Sequence, residues 1–315
     1  MTRCLLLAFA FAALSLPAVA CDLHVSSAPR TLQLTGSYNP LSQENRSLNA
    51  TIRVRNAGAA CSASFSLTSA TGGVRLSGAG SETLNLEARN SAGLPIEVSI
   101  RQGSVDPGSL VATVAFAEHQ EQAVDLSFNL APGQLVTAGR YHGDVSISIQ
   151  QDDGAAQIQL PLDIDVDVAD AAEIRLSGAV ASPSRGVAAG GQFAAPIIQL
   201  GDLASNQEIN TLPVVLMIVS TSRYALRFES ANHGRLQHID GPAIVTGDYG
   251  YIPYELLVDR IKAPLETPGG ELLRPRPSGF FRTDLLPLAI RVGDTTGQPA
   301  GIYRDTVRIE VLPRG

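Results

Sequence analysis

The feature that most constrains this chain is a stretch that occurs twice. Ala138 to Ile149 (AGRYHGDVSISI) and Ala300 to Leu312 (AGIYRDTVRIEVL) align without a gap at Ala138/Ala300, Gly139/Gly301, Tyr141/Tyr303, Val145/Val307 and Ile147/Ile309, an offset of 162. The second copy reads as a strand: Tyr303, Asp305, Val307, Ile309 and Val311 fall on one face, and Arg304, Thr306, Arg308 and Glu310 on the other. Upstream, Val124, Leu126, Phe128 and Leu130 alternate as Leu286, Leu288, Ile290 and Val292 do, each set ending eleven residues before its tyrosine. Leu94 to Val98 (LPIEV) resembles Ile252 to Leu256 (IPYEL) at a slightly different offset. Two copies of one β-domain account for all of this.

The copies differ after the shared strand. The first runs through Gln151-Asp152-Asp153-Gly154 into a further alternating segment with Ile158, Leu160, Leu162, Ile164, Val166 and Val168 on one face. The second is followed by Pro313, Arg314 and Gly315. Domain one is therefore expected to close itself. Domain two is expected to lack its final strand, leaving an edge with an apolar face that another chain must cover.

Met1 to Ala20 has a basic start at Arg3, an apolar run from Leu5 to Leu16 and the small residues Ala18-Val19-Ala20, the pattern of a secretory signal peptide. Such export leads to an oxidising compartment, where Cys21 and Cys61 are expected to pair. In the chain-entropy account a loop of that length adds about 4 kcal/mol. A lipidated Cys21 is the alternative, although Ala18 stands where a lipobox has leucine. Neither cysteine has a catalytic context.

With 44% hydrophobic residues, 29 glycines and 19 prolines, the composition suits many short strands joined by turns. A net charge of −7 argues against nucleic acid as a partner. In domain one, from Cys21 to about Val168, strands are predicted at 30–34, 49–54, 61–67, 74–76, 83–86, 94–100, 110–116, 123–130, 143–149 and 157–168, a sandwich pattern. The aspartates of Asp163 to Ala172 (DIDVDVADAA) are expected to charge one face of an edge strand. As calcium ligands they lack the glycine and distal glutamate of an EF-hand.

Domain two, from about Ala172 to Gly315, holds a glycine-rich loop at Gly186 to Gly191 with no phosphate-binding context. Leu212 to Val219 (LPVVLMIV) reads as a strand buried on both faces, Arg223 to Phe228 and Ile252 to Val258 as further strands, and Thr267 to Phe281 as a long loop. Leu110 to Ala117 and Ser77 to Ser81 are candidate surface-binding segments, with a buried strand and an ordinary turn as the alternatives.

No enzyme signature emerges. His24, His119, His142, His233 and His238 are scattered and read as surface residues, and there is neither a GxSxG elbow nor an HExxH pair. No catalytic, cofactor-binding or metal residue is assigned, and no cofactor is expected.

A cysteine at the expected mature start, a second forty residues on, Tyr38-Asn39-Pro40 between them and a closing A-G-x-Y-x-D-x-V-x-I/V strand resemble the spore coat protein U domain, a group that includes pilins of archaic chaperone-usher pili. Leu200-Gly201-Asp202-Leu203, Ser230 to Leu236 (SANHGRL) and Ile252-Pro253-Tyr254 are similar to signatures of a related pilin-like domain. Tyr141 to Ile149 match the closing motif with glycine in place of the aspartate, and domain two lacks the cysteines common in such subunits.

The resemblance implies two tandem immunoglobulin-like sandwiches, the second short of its last strand. It further implies a non-enzymatic, secreted pilus subunit carried through the periplasm to the surface of a Gram-negative bacterium. Its partners would be a periplasmic chaperone, an outer-membrane usher and the next pilin subunit, which lends the missing strand. Tyr303, Val307, Ile309 and Val311 would line the acceptor groove. Because Cys21 ties the start of the mature chain into domain one, no donor segment is expected, and the chain reads as a tip adhesin. A two-domain binding module, periplasmic or lipid-anchored, and a self-assembling coat or matrix protein remain open.

Overall fold

The computed structural model describes residues 21–100, 110–152, 157–178, 181–188, 191–209, 212, 214–241, 247–274 and 282–314. The first unit contains β1 (Leu23–Ser27), β2 (Thr31–Gln33), β3 (Arg46–Asn56), β4 (Cys61–Ser69), β5 (Val74–Ser77) and β6 (Thr83–Asn90). It continues with β7 (Ser99–Ile100), β8 (Leu110–Phe116), β9 (Glu121–Leu130), β10 (Gly139–Gln151) and β11 (Gln157–Val168). The second contains β12 (Ala172–Gly178), β13 (Ala181–Ala188), β14 (Gly191–Ile197), β15 (Glu208–Ile209), β16 (Val214–Ser220), β17 (Arg223–Ser230) and β18 (Arg235–His238). After these come β19 (Tyr251–Val258), β20 (Ile261–Lys262), β21 (Gly270–Arg274), β22 (Arg282–Val292), β23 (Tyr303–Arg304) and β24 (Val307–Arg314).

Alternation creates these layers. In β3, Leu48, Ala50, Ile52 and Val54 are buried while the residues between them face water, so one face of each strand supplies the core. Hydrogen bonding orders the first unit as β1-β3-β9-β6 on one side and β4-β10-β11 on the other. That is the ABED and CFG arrangement of a seven-stranded immunoglobulin-like sandwich. β10 begins beside β5, at His142↔Ser77, and ends beside β4, so it crosses from one layer to the other. In the second unit β12-β16-β22-β19 repeats ABED, and β17-β24 repeats C and F. Its crossing strand is split, with β23 on β18 and β24 on β17. The two units agree over the A, B, E, D, C and F strands, whereas β11 has no counterpart among the described residues of the second and the β13–β14 pair has none in the first. The chain is thus all-β, with two tandem sandwiches and an open F edge on the second.

Each unit has its own core. One gathers residues from Leu23 to Val168 around Phe65, Phe128, Leu67 and Leu84. The other gathers Leu212 to Val292 around Leu216, Ile218, Leu226 and Phe228. Both carry a tyrosine corner at the entry to the crossing strand: Tyr141 OH donates to the Thr137 carbonyl (3.1 Å) and Tyr303 OH to the Pro299 carbonyl (2.6 Å), each four residues back. A disulfide joins Cys21 to Cys61.

The units meet at the β16–β17 turn. Thr221, fully buried, accepts from Ala138 N at its carbonyl (2.9 Å), donates its own N–H to Ala171 O (2.9 Å), and uses its hydroxyl to accept from Ala171 N (2.8 Å) and donate to Ala169 O (3.0 Å).

Several expectations need correction. β11 is no edge strand, because it pairs with β10 along its length and with β2 in parallel; Asp165 is buried beneath Arg140 (2.8 Å) and His142 (3.0 Å). Leu212 to Val219 is not buried on both faces: Val214, Leu216 and Ile218 point into the core, whereas Val215, Met217 and Val219 stay half-exposed on the other side of the strand. Of the loop expected at Gly186 to Gly191, Gly186 to Ala188 belong to β13 and Gly191 to β14, with Gly186 paired to Phe193, while 189–190 lie outside the described residues; small residues hid the strand period. Within the long loop from Thr267, β21 pairs with β17, while 275–281 lie outside the described residues. Of the strand expected at 94–100, only β7 and a bridge between Arg89 and Pro95 form. β1, which the sequence reading left out, pairs with β3.

Candidate functional site

β24 is hydrogen-bonded along one edge only. Arg223↔Arg314 through Ser230↔Val307 tie it to β17, and its other edge has no partner among the described residues. In the first unit the equivalent edge of β10 is taken by β11 from Gly139↔Val168 to Gln150↔Gln157. The consequence shows residue by residue. Tyr141, Val145, Ile147 and Ile149 are only 1–2% exposed. Their counterparts Tyr303, Val307, Ile309 and Val311 also face the core but stay half-buried. Across the opening, Ile174 and Leu176 of β12 are half-buried against the same core. Half-buried apolar side chains of β12 and β24 thus lie on the same core, and β24 beside them keeps one edge without a backbone partner among the described residues.

The outward row of β24 is polar and mostly engaged. Arg308 meets Glu310 (2.5 Å), Arg227 of β17 meets Glu271 (2.9 Å) and Glu310 (3.8 Å), and Arg314 meets Glu271 (2.5 Å). Arg227 and Arg314 together hold the Glu271 carboxyl below its ordinary range. These exposed pairs fix side-chain directions more than they stabilise.

At the layer crossing, Asp305 turns inward and accepts four hydrogen bonds, from Ser230 Oγ (2.5 Å), Tyr254 OH (2.7 Å), Asn232 N (3.1 Å) and Thr306 N (2.7 Å). It binds the β17–β18 turn to the start of β24. Burial first, then Asp305, pushes the Tyr254 hydroxyl far above the usual tyrosine range. Beside it, His238 is only 4% exposed, which corrects the surface reading of all five histidines. The inward side of β18 holds it edge-on to Tyr303, 5.1 Å between ring centres, with Nδ1 accepting from Asp240 N (3.2 Å) and Nε2 3.3 Å from Ala300 O. A methyl group on Gly301 would collide with that imidazole, which accounts for glycine at this position; the motif's other glycine, Gly139, has open space there and shares only the positive φ.

Other sequence candidates take structural places. Leu110 to Phe116 is β8, paired with β4, and Gly78 in the Ser77 to Ser81 turn packs against the Tyr141 ring. No set of three or more His, Cys, Asp or Glu poised for a metal occurs among the described residues. No described helix is long and apolar enough to cross a membrane. Sequence reasoning missed the contributions of Ile174 and Leu176, since nothing in their short, mixed strand marks it as packing on the same core as β24. It also missed the Asp305 network, although the aspartate within an otherwise apolar inward row was a visible signal.

No family model matches the sequence, and no curated protein matches it. Among solved structures, the chain is similar to the CsuC–CsuE chaperone–tip adhesion subunit pre-assembly complex from archaic Csu pili of Acinetobacter baumannii. That likeness has 10% identity and a TM-score of 0.40, over 90% of this chain and 99% of that one. It is also similar to the CupB6 tip adhesin from Pseudomonas aeruginosa, with 9% identity and a TM-score of 0.37 over 93% and 94%. The CooA pilin subunit from enterotoxigenic Escherichia coli, with 18% identity and a TM-score of 0.31, matches over 49% of this chain and 99% of that one. At such identities the likeness is to architecture alone.

Proposed function

We propose that this protein is a secreted pilus subunit of the spore coat protein U type, a tip adhesin whose C-terminal unit, residues 172–315, is completed by a strand from another chain. The observation that carries this reading is the paired comparison of F strands: one sequence motif, sealed by β11 in the first unit and left half-buried beside an unpaired edge in the second. Strand addition at such an edge supplies main-chain hydrogen bonds, and alternate apolar side chains fill a slot between the A and F edges. The N-terminal unit, residues 21–168, closes itself and is left to contact a surface. Its first strand is tied in by the disulfide to Cys61 and by pairing with β3. The partners are a periplasmic chaperone first, then the neighbouring pilin, delivered through an outer-membrane usher.

The test is co-purification of tagged full-length protein from the periplasm, with a pilus chaperone expressed alongside. A one-to-one complex that is lost in Ile309→Asp is expected. A stable, protease-resistant monomer that ignores the chaperone would show that the second sandwich is already complete and leave a free two-domain binding module.

A further inference from the structure

The self-closed first unit shows in atomic detail what a strand on this edge meets, on its outward side as well as its inward one. Opposite residues of β10 and β11 point the same way. The core-facing pairs are Tyr141↔Val166, Val145↔Leu162 and Ile147↔Leu160, and the outward ones are Arg140↔Asp167 and His142↔Asp165. The outward pairs are complementary in charge, with Asp165 bonded to both Arg140 and His142. The offset of 162 carries Arg140 to Ile302 and His142 to Arg304. Arg304 is exposed and has no ion pair or side-chain hydrogen bond among the described residues, unlike Arg227, Arg308 and Arg314 on the same face. Ile302 is 66% exposed, its carbonyl accepting from Ile239 N, and Ile239 and nearby Tyr249 are exposed too. The apolar group at this end of the slot thus replaces the cation that holds β11 in the first unit.

Resting on the strand-acceptor reading, we infer that the incoming strand runs antiparallel to β24 and carries a carboxylate opposite Arg304 and an apolar side chain opposite Ile302. The outward face then adds register and partner choice to the affinity supplied by the slot, since a like charge opposite Arg304 is repelled. A strand shifted by two residues keeps its apolar row inside yet loses both outward matches.

The chain contains its own probe. A copy of residues 152–168, placed after Pro313 instead of Arg314 and Gly315, brings the second Asp165 opposite Arg304 and the second Asp167 opposite Ile302. Thermal unfolding of this full-length graft should show the second unit stabilised over the parent. Arg304→Glu should lower the graft's midpoint by about 2–4 °C, the order expected for one exposed pair in a unit of this size. Changing the copied Asp165 to lysine should restore it. Replacing the copied Asp167 by valine should raise the midpoint. If Arg304→Glu and the lysine swap leave the graft unchanged while Ile309→Asp in it removes the stabilisation, outward selection is overturned and the slot survives. If the graft itself adds no stability and no protection to β24, the strand-acceptor reading fails with it.

Discussion

Ile147 and Ile309 occupy the same motif position, one under β11 and one beside an open edge. That makes the pair a measurement of how complete each sandwich is. Truncating Ile147, 2% exposed, to alanine removes buried methyl groups and leaves a cavity in a sealed core, a cost of about 2–5 kcal/mol. Ile309 is half-buried. Its truncation forfeits about half the transfer term of a fully buried side chain and opens no closed void, giving about 1 kcal/mol. Hydrogen exchange of the full chain, read separately over 139–151 and 303–314, reports each unit by itself. Where exchange follows unfolding of the unit, Ile147→Ala should speed the first segment by about 30-fold or more, and Ile309→Ala the second by about fivefold. With a strand docked on β24, the effect of Ile309→Ala should rise to match that of Ile147→Ala. Equal costs in the free protein would mean that Ile309 is already sealed, and the open-slot account would be refuted.

Further tests address the parts around the slot. Asp305→Ala leaves Ser230, Tyr254 and Asn232 N without their acceptor; a loss of about 3 kcal/mol in the second unit is expected in urea titration, and a loss below 1 kcal/mol would remove Asp305 from the fold's support. Gly301→Ala should be far more damaging than Gly139→Ala, because the first meets His238 while the second has open space and only its backbone conformation to strain, which thermal melts of the two variants will separate. Arg140 first, then His142, hold the Asp165 carboxyl below its ordinary value against the opposing effect of burial. That stabilisation is present above about pH 4 and lost as pH falls through the lowered folded value. The midpoint gap between the parent and Asp165→Asn should therefore shrink on acidification, and a gap that widens would contradict the assignment. Thr221→Val deletes the hydroxyl that links Ala169 and Ala171; faster proteolysis near 169–171 is expected with both cores intact.

Most of the fold was legible because strand alternation and the duplicated closing motif are local and repeated. The inward direction of Tyr303, Asp305, Val307, Ile309 and Val311, read from their spacing, agrees with the packing. What could not be read depends on contacts remote in sequence. The acidic row of β11 looked like the guard of an edge; only the parallel pairing with β2 and the bonds from Arg140 and His142 show it to be interior to a sheet. Ser220-Thr221-Ser222 looked like any hydroxyl-rich turn, since nothing local says that Ala138 will lie against it. The β13–β14 pair and β21 were hidden in glycine- and proline-rich sequence that carries no two-residue period.

The placement of Thr221 acquires a mechanical meaning once both F strands are followed to their ends. β24 reaches the joint with its last residues, where Arg314 lies opposite Arg223, two positions from Thr221, while β10 leaves the joint directly after Ala138. Tension on a strand lodged along β24 would pass through the β24–β17 ladder in shear, loading many hydrogen bonds together rather than peeling them one by one. It would then enter the first unit at the root of its own crossing strand. With a strand docked there, the two sandwiches would form a tensile series in which the hydroxyl-rich turn shares the load with the short linker.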